Sequence, residues 1–325
     1  MLQGIFPVIP TLFTARNELD LAGQRRVIRF ALDAGAHGLV FPGVASEYSH
    51  LSLPEREQLL ALVAAETAGK VPLVGGASAP TPNEVIAAGT LAMQHGIRHL
   101  MIMAPVGLGA DVAAQRTFFQ QVAAGLPGAE IILQNAPTPT GAGLTAKAII
   151  EIAASVPAIT YIKEETLPSG PAITALRAAA IPNVRGVFGG GGARYIIDEL
   201  DRGACGAMPA VELTDLHVAL LSADASGDRA QARRLYRLSL PLLTAQAVYR
   251  MRLTKLVLAQ RGIAFGRVQR GRRSAAKHLH FARHPLLIEP GLGALNQVHR
   301  VFVAALGRVA PAEQPMAAQH DATQA

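Results

Sequence analysis

The chain has 325 residues, half of them apolar and only 16% charged, so it can bury a large core, and α/β barrels reach this length without a second domain. No apolar run approaches the roughly 18 residues a membrane span needs, and the first ten residues carry neither a charged leader nor a cleavage-type segment. The expectation is a soluble cytoplasmic protein with no membrane partner. The net charge of +7 does not point to nucleic acid, because Arg267, Arg270, Arg272, Arg273, Lys277 and Arg283 all lie in the acid-free segment 263–288 and Trp is absent. That segment reads as a solvated loop or a subunit contact.

Eight β-like runs recur at intervals of about 25 to 35 residues, the last one shorter, at 5–9, 38–41, 72–74, 99–103, 130–134, 159–163, 184–188 and 204–208. Between them lie amphipathic segments at 24–34, 55–68, 84–95, 115–124, 147–154, 172–179 and 194–202. Ser52 with Glu55, and Thr81 with Pro82, are helix-start signals. Strand alternating with helix predicts parallel strands joined by right-handed crossovers, and eight units predict a (β/α)8 TIM barrel of class α/β. A doubly wound sheet fits less well, since the first strand runs into Pro10-Thr11-Leu12 and not into a glycine-rich turn. The barrel is assigned to 1–212. Helical patterns at 228–247, 249–261 and 293–306 then predict a C-terminal appendage over 213–306, with a disordered tail at 307–325.

Barrel chemistry sits at the carboxyl ends of the strands. Lys163 ends the apolar run 158–162, and burial there would favour its free amine, a nucleophile toward ketones. Strand alternation would turn Glu165 to the same side and Glu164 away. Gln134 and Asn135 end the fifth strand, Ser46 and Glu47 follow the second, and glycines 189–192 follow the seventh. Glu47 could act directly or cap its turn. The glycines, Gly190 and Gly191 among them, could cradle a phosphate with Arg194, or simply admit a carboxylate to the backbone; the second is preferred. Cys205, the only cysteine, sits in the apolar run 203–208 with Met208 and reads as core filler. No histidine pair has the neighbours a metal site needs.

With these elements placed, the chain resembles the dihydrodipicolinate synthase and N-acetylneuraminate lyase family from Gly4 to about Gly262. Gly43-Val44-Ala45-Ser46-Glu47 is similar to the family's Gly-Thr-Thr-Gly-Glu, Gln134-Asn135-Ala136-Pro137 to its Tyr-Asn-x-Pro, and Ile162-Lys163 to its Schiff-base Ile-Lys. The closing Gly203-Ala204-Cys205-Gly206 also matches. Four changes, at six positions, depart from the synthases: Gln134 replaces a tyrosine, Val44 and Ala45 replace hydroxyls, Val106-Gly107 replaces a tyrosine pair, and Pro139 replaces an arginine. Ser46-Glu47, Gln134-Asn135-Ala136-Pro137 and Lys163-Glu164-Glu165-Thr166 look instead like the subgroup that dehydrates 2-keto-3-deoxy sugar acids.

The resemblance implies a Schiff-base lyase, preferably a hydro-lyase, on a 2-keto-3-deoxy sugar acid, with Lys163, Glu165 and Gln134 catalytic. It implies substrate contacts from Gly43, Ala45, Ser46, Glu47, Asn135, Gly190, Gly191 and Met208, no metal or organic cofactor, and a homodimer or homotetramer. A pyruvate-dependent aldolase and a silent keto-acid-binding paralogue stay open as alternatives.

Overall fold

The computed structural model describes residues 1–264, all within one compact unit. The predicted helix at 293–306, the tail, and all of the basic segment beyond residue 264 lie outside them. Eight parallel strands, β1 (Gly4–Ile5), β2 (Leu39–Val40), β3 (Leu73–Gly76), β4 (His99–Met103), β5 (Glu130–Asn135), β6 (Ile159–Glu164), β7 (Gly186–Gly189) and β8 (Gly206–Ala207), follow one another around the sheet. The ring closes where Val8 bridges Val40 on one side and Ala210 on the other. The chain is a (β/α)8 barrel.

Helices α1 (Leu21–Asp33), α2 (Leu53–Thr67), α3 (Pro82–Gln94), α4 (Val112–Gly125), α5 (Ala146–Ser155), α6 (Ser169–Ala178), α7 (Ile196–Asp201) and α8 (Thr214–Ala225) follow the strands in turn. The Ser52–Glu55 and Thr81–Glu84 capping boxes start α2 and α3, each with a proline in the first turn where no N–H is missed. Two further helices, α9 (Arg229–Tyr249) and α10 (Met251–Gln260), follow the barrel. Among the described residues no helix is long and apolar enough to cross a membrane.

Strand and helix ends shift by one to three residues from the sequence expectation, as in β7 and β8, and two differences have a clear cause. The first strand is shorter than 5–9, because Pro7 and Pro10 cannot donate to a ladder, although Val8 still donates to the Pro209 carbonyl at 2.7 Å. Helix α8 has no counterpart among the expected helices. Its buried face includes His217 and Thr214 beside Leu216 and Leu220, while Val218 and Leu221 stand off that face, so no apolar stripe of period 3.6 is legible. Burial pushes the His217 pKa down to about 4, which keeps the imidazole neutral.

The core has two layers. Outward-facing strand residues such as Ile102, Leu133 and Ile162 pack under the helices. Inward-facing residues fill the barrel, with Phe188 edge-on to Phe6 at 5.3 Å and tilted against Tyr161 at 5.9 Å. Burying each such side chain stabilises the fold by about 1.5–3 kcal/mol. The filled interior gives the residues above it a floor.

Candidate active site

Strand β6 decides which side chains stand on that floor. Between its pairings with β5 it advances from Ile159 to Tyr161 while β5 advances only from Ile131 to Ile132, so Thr160 is an extra residue. Ile159 therefore belongs to the outer core and Tyr161, two residues later, to the inner one. Beyond this bulge simple alternation resumes, and Tyr161, Lys163 and Glu165 share the inner side. Without the extra residue Lys163 would point under the helices.

Register places Lys163 between Gln134 of β5 and Phe188 of β7. Its Nζ lies 3.0 Å from Oε1 of Glu165, with 5% of the lysine side chain exposed. Gln134 Nε2 donates to the same carboxylate oxygen at 2.6 Å, and the Gly191 N–H donates to Oε2 at 3.2 Å. Burial alone would raise the Glu165 pKa, but the Lys163 charge and the donors on both oxygens outweigh it and hold the group below the usual carboxylate value. Glu165 is thus an oriented carboxylate, ionised at neutral pH.

The glycine run presses against this carboxylate. A Cβ on Gly190 would sit 2.2 Å from Cγ of Glu165, so only glycine lets the backbone approach so closely. Glu164 points the other way. It accepts from Asn135 Nδ2 at 2.9 Å and from the Thr166 N–H at 2.7 Å; burial pushes its pKa up and these bonds only partly offset that.

The cluster opens on a cavity of about 180 Å³ that Lys163, Glu165 and Gln134 line together with Ala45, Gly191 and Met208. Gly43 borders a smaller cleft beside Gln134, where a Cβ would come 2.7 Å from Val8. Gly190 backs Glu165 from behind. The structure does not bring Ser46, Glu47 or Asn135 to the cavity. Ser46 Oγ accepts from the Gly43 N–H at 2.9 Å and also bonds the Ile9 carbonyl, fixing the loop after β2. Glu47, with φ +56, accepts from Lys255 Nζ at 2.5 Å. Asn135 bonds the Leu144 backbone through both its amide and its oxygen, at 2.9 and 2.8 Å. All three are buried and held by partners other than the cavity lining: backbone for Ser46 and Asn135, Lys255 for Glu47.

Several cavity residues escaped sequence reasoning. Tyr195 brings a phenol from the loop before α7, and Gln246 and Arg250 come from α9 and the junction of α9 with α10. The signal for Arg250 was the break between the helical patterns at 228–247 and 249–261. Arg194 joins them. Cys205 is removed from chemistry, its thiol pushed by burial up to about 12.

The family model described as the dihydrodipicolinate synthetase family matches residues 1–271. The L-2-keto-3-deoxyarabonate dehydratase of Azospirillum brasilense is 30% identical over 247 residues, covering 74% of this chain and 78% of that protein. The 4-hydroxy-tetrahydrodipicolinate synthase of Stenotrophomonas maltophilia is 30% identical over 182 residues, covering 55% and 60%. Among solved structures, the dihydrodipicolinate synthase of Rhodopseudomonas palustris superposes with a TM-score of 0.77 at 25% identity, covering 83% of this chain and 91% of that one. The synthase of Methylacidiphilum fumariolicum, at 19% identity and a TM-score of 0.80, shares the fold over 94% of this chain and 99% of its own.

Proposed function

The chain belongs to the dihydrodipicolinate synthetase family of lyases, and from that premise we propose that it is a Schiff-base hydro-lyase acting on a 2-keto-3-deoxy sugar acid. The observation that carries this reading is the Lys163–Glu165–Gln134 cluster: an amine and one ionised carboxylate at the cavity wall, with an amide where the resemblance expects a phenol. The dehydratase name of the Azospirillum brasilense relative supports it.

In this mechanism Glu165 takes a proton from the Lys163 ammonium, and the free amine adds to the C2 carbonyl. Glu165 returns that proton to the C2 oxygen and then relays a second one from the amine nitrogen, so the oxygen leaves as water and the C2–N bond becomes an iminium. The iminium draws electrons from C3, so the regenerated Glu165 carboxylate can remove a C3 proton and leave an enamine. The enamine pair expels the C4 hydroxyl, which departs as water with the proton Glu165 carries. Hydrolysis of the unsaturated iminium releases the dehydrated keto acid and frees the lysine. Gln134 orients the carboxylate; its amide neither gives nor takes a proton near neutral pH. Cleavage of C3–C4 would require a base for the C4 hydroxyl, and Gln134 cannot be that base.

Purified protein offered a panel of 2-keto-3-deoxy sugar acids, with products read by mass, is expected to release a product lighter by one water. Stoichiometric pyruvate and aldehyde would make it an aldolase. Borohydride trapping with no keto acid bound to Lys163 would favour the silent paralogue.

A further inference from the structure

Among the described residues three cationic side chains, Lys163, Arg194 and Arg250, line the cavity against one carboxylate, Glu165. The lysine already holds Glu165. The two arginines belong to other elements: Arg194 to the loop before α7, Arg250 to the break between α9 and α10, with φ +49. Arg194 Nη1 donates to the Leu243 carbonyl at 3.3 Å and to Gln246 Oε1 at 3.1 Å, two neutral acceptors. Neither arginine forms an ion pair with a carboxylate among the described residues.

The arrangement is unfavourable while the cavity is empty of anions. Burial first, and then the charge of Arg250, pulls the Arg194 pKa below its usual value, as two guanidiniums sharing half-buried space must do. The amino end of α10, a ten-residue helix whose first residue Met251 also lines the cavity, adds positive potential at the same place. A ligand can relieve this repulsion. The carboxylate at C1 of a keto acid sits one bond from the carbon that Lys163 attacks, and it balances only part of the positive excess. The iminium keeps the lysine's charge, so the three cations still exceed Glu165 and the C1 carboxylate by one positive charge, on the side of the arginines.

We propose that Arg194 and Arg250 bind a second anionic group at the distal end of the substrate. The preferred ligands are then 2-keto acids ending in a carboxylate or a phosphate, in preference to those ending in a neutral carbinol. Gln246 positions Arg194 through its 3.1 Å bond. The inference rests on Lys163 forming the imine with C2, which fixes the other end of the substrate.

Borohydride trapping at Lys163, read by mass, compares 2-oxoadipate with 2-oxohexanoate, two six-carbon keto acids that differ only in a terminal carboxylate. Half-saturation is expected at a roughly tenfold or more lower concentration for the dianion, the scale of charge-assisted hydrogen bonds. In Arg194→Gln/Arg250→Gln this ratio is expected to fall toward one. A wild-type ratio near one overturns the inference while leaving the imine chemistry standing. A phosphate-terminated keto acid measured alongside tells which anion is preferred, and tighter binding of either supports the subsite. If no keto acid, pyruvate included, gives an adduct, the imine reading has failed, and calorimetric titration of adipate against hexanoate decides on the arginine pair: equal binding overturns it, tighter adipate supports it.

Discussion

Two buried lysine–glutamate pairs stand near the barrel mouth, and they do different work. Lys163 and Glu165 lie 3.0 Å apart with side chains 5% and 19% exposed, whereas Lys255 and Glu47 lie 2.5 Å apart at 0% and 4%. Both glutamates follow the carboxyl end of a strand. The first pair faces the cavity and shares its carboxylate with the Gln134 amide and the Gly191 N–H. The second is closed in, with Lys255 Nζ 4.7 Å above the Phe13 ring. Burial and pairing are therefore common to both lysines, and only Lys163 lines the cavity.

The strongest way to break this contrast is to remove each lysine in turn. Lys163→Ala should lower turnover by more than about a hundredfold, because covalent and acid/base steps each contribute at least that much. Its thermal melt should fall much less than that of Lys255→Met, because Glu165 opens on the cavity and keeps its bonds from Gln134 and Gly191. A variant that kept a few per cent of the activity would remove the distinction. Lys255→Met should do the reverse, destabilising the fold by about 3–5 kcal/mol in urea titration, since it leaves the Glu47 carboxylate buried without its ammonium. Adduct formation on Lys163 should persist below its melting transition. An unchanged urea midpoint would show that the sealed pair contributes nothing to folding.

A smaller effect is expected from Gln134→Ala, which removes the 2.6 Å bond to Glu165. Losing one or two hydrogen bonds, about 1 to 3 kcal/mol, should slow turnover by one to two powers of ten without changing the product. Gln134→Tyr should raise the fraction of substrate cleaved to pyruvate, since a phenol can take the C4 hydroxyl proton. Pyruvate as the sole product of the wild type would contradict this scheme and turn attention to Tyr195 and Glu165 as bases.

The smallest effect is on the acid side of the pH profile. The folded pKa of Glu165 is lowered, so its pairing stabilises the fold above the ordinary carboxylate pKa and is lost as pH falls through the lower folded value. The acid limb of kcat/KM should accordingly fall below pH 4.5, the unperturbed value. A limb centred above about pH 5 would mean that Glu165 is not the ionised partner of Lys163 in the free enzyme.

Much of the barrel is legible in the sequence because its signals are local. Apolar runs of strand length, amphipathic segments between them, and caps such as Ser52–Glu55 each act over a few residues. Helix α8 is the exception, since its buried face accepts His217 and Thr214 where the pattern calls for apolar residues. The cluster was legible in part: Lys163, Glu165 and Gln134 were named from strand ends, and the structure brings all three to one cavity.

By itself, then, the sequence determined the alternating strands and helices, the strand ends at which polar groups emerge, and the family. The tertiary structure decided the rest. Alternation counted from Ile159 would reach Lys163 on the wrong face; only the pairing of β6 with β5 reveals Thr160 as the extra residue that turns it inward. Glu47 meets Lys255 across 208 positions, and Arg194 and Arg250 line one cavity only because the end of α9 reaches it. Periodicity and capping arise from neighbours in the chain and can be read there. A cavity's charge and the partner of a buried ion are set by residues far apart in sequence, and only the folded chain puts them together.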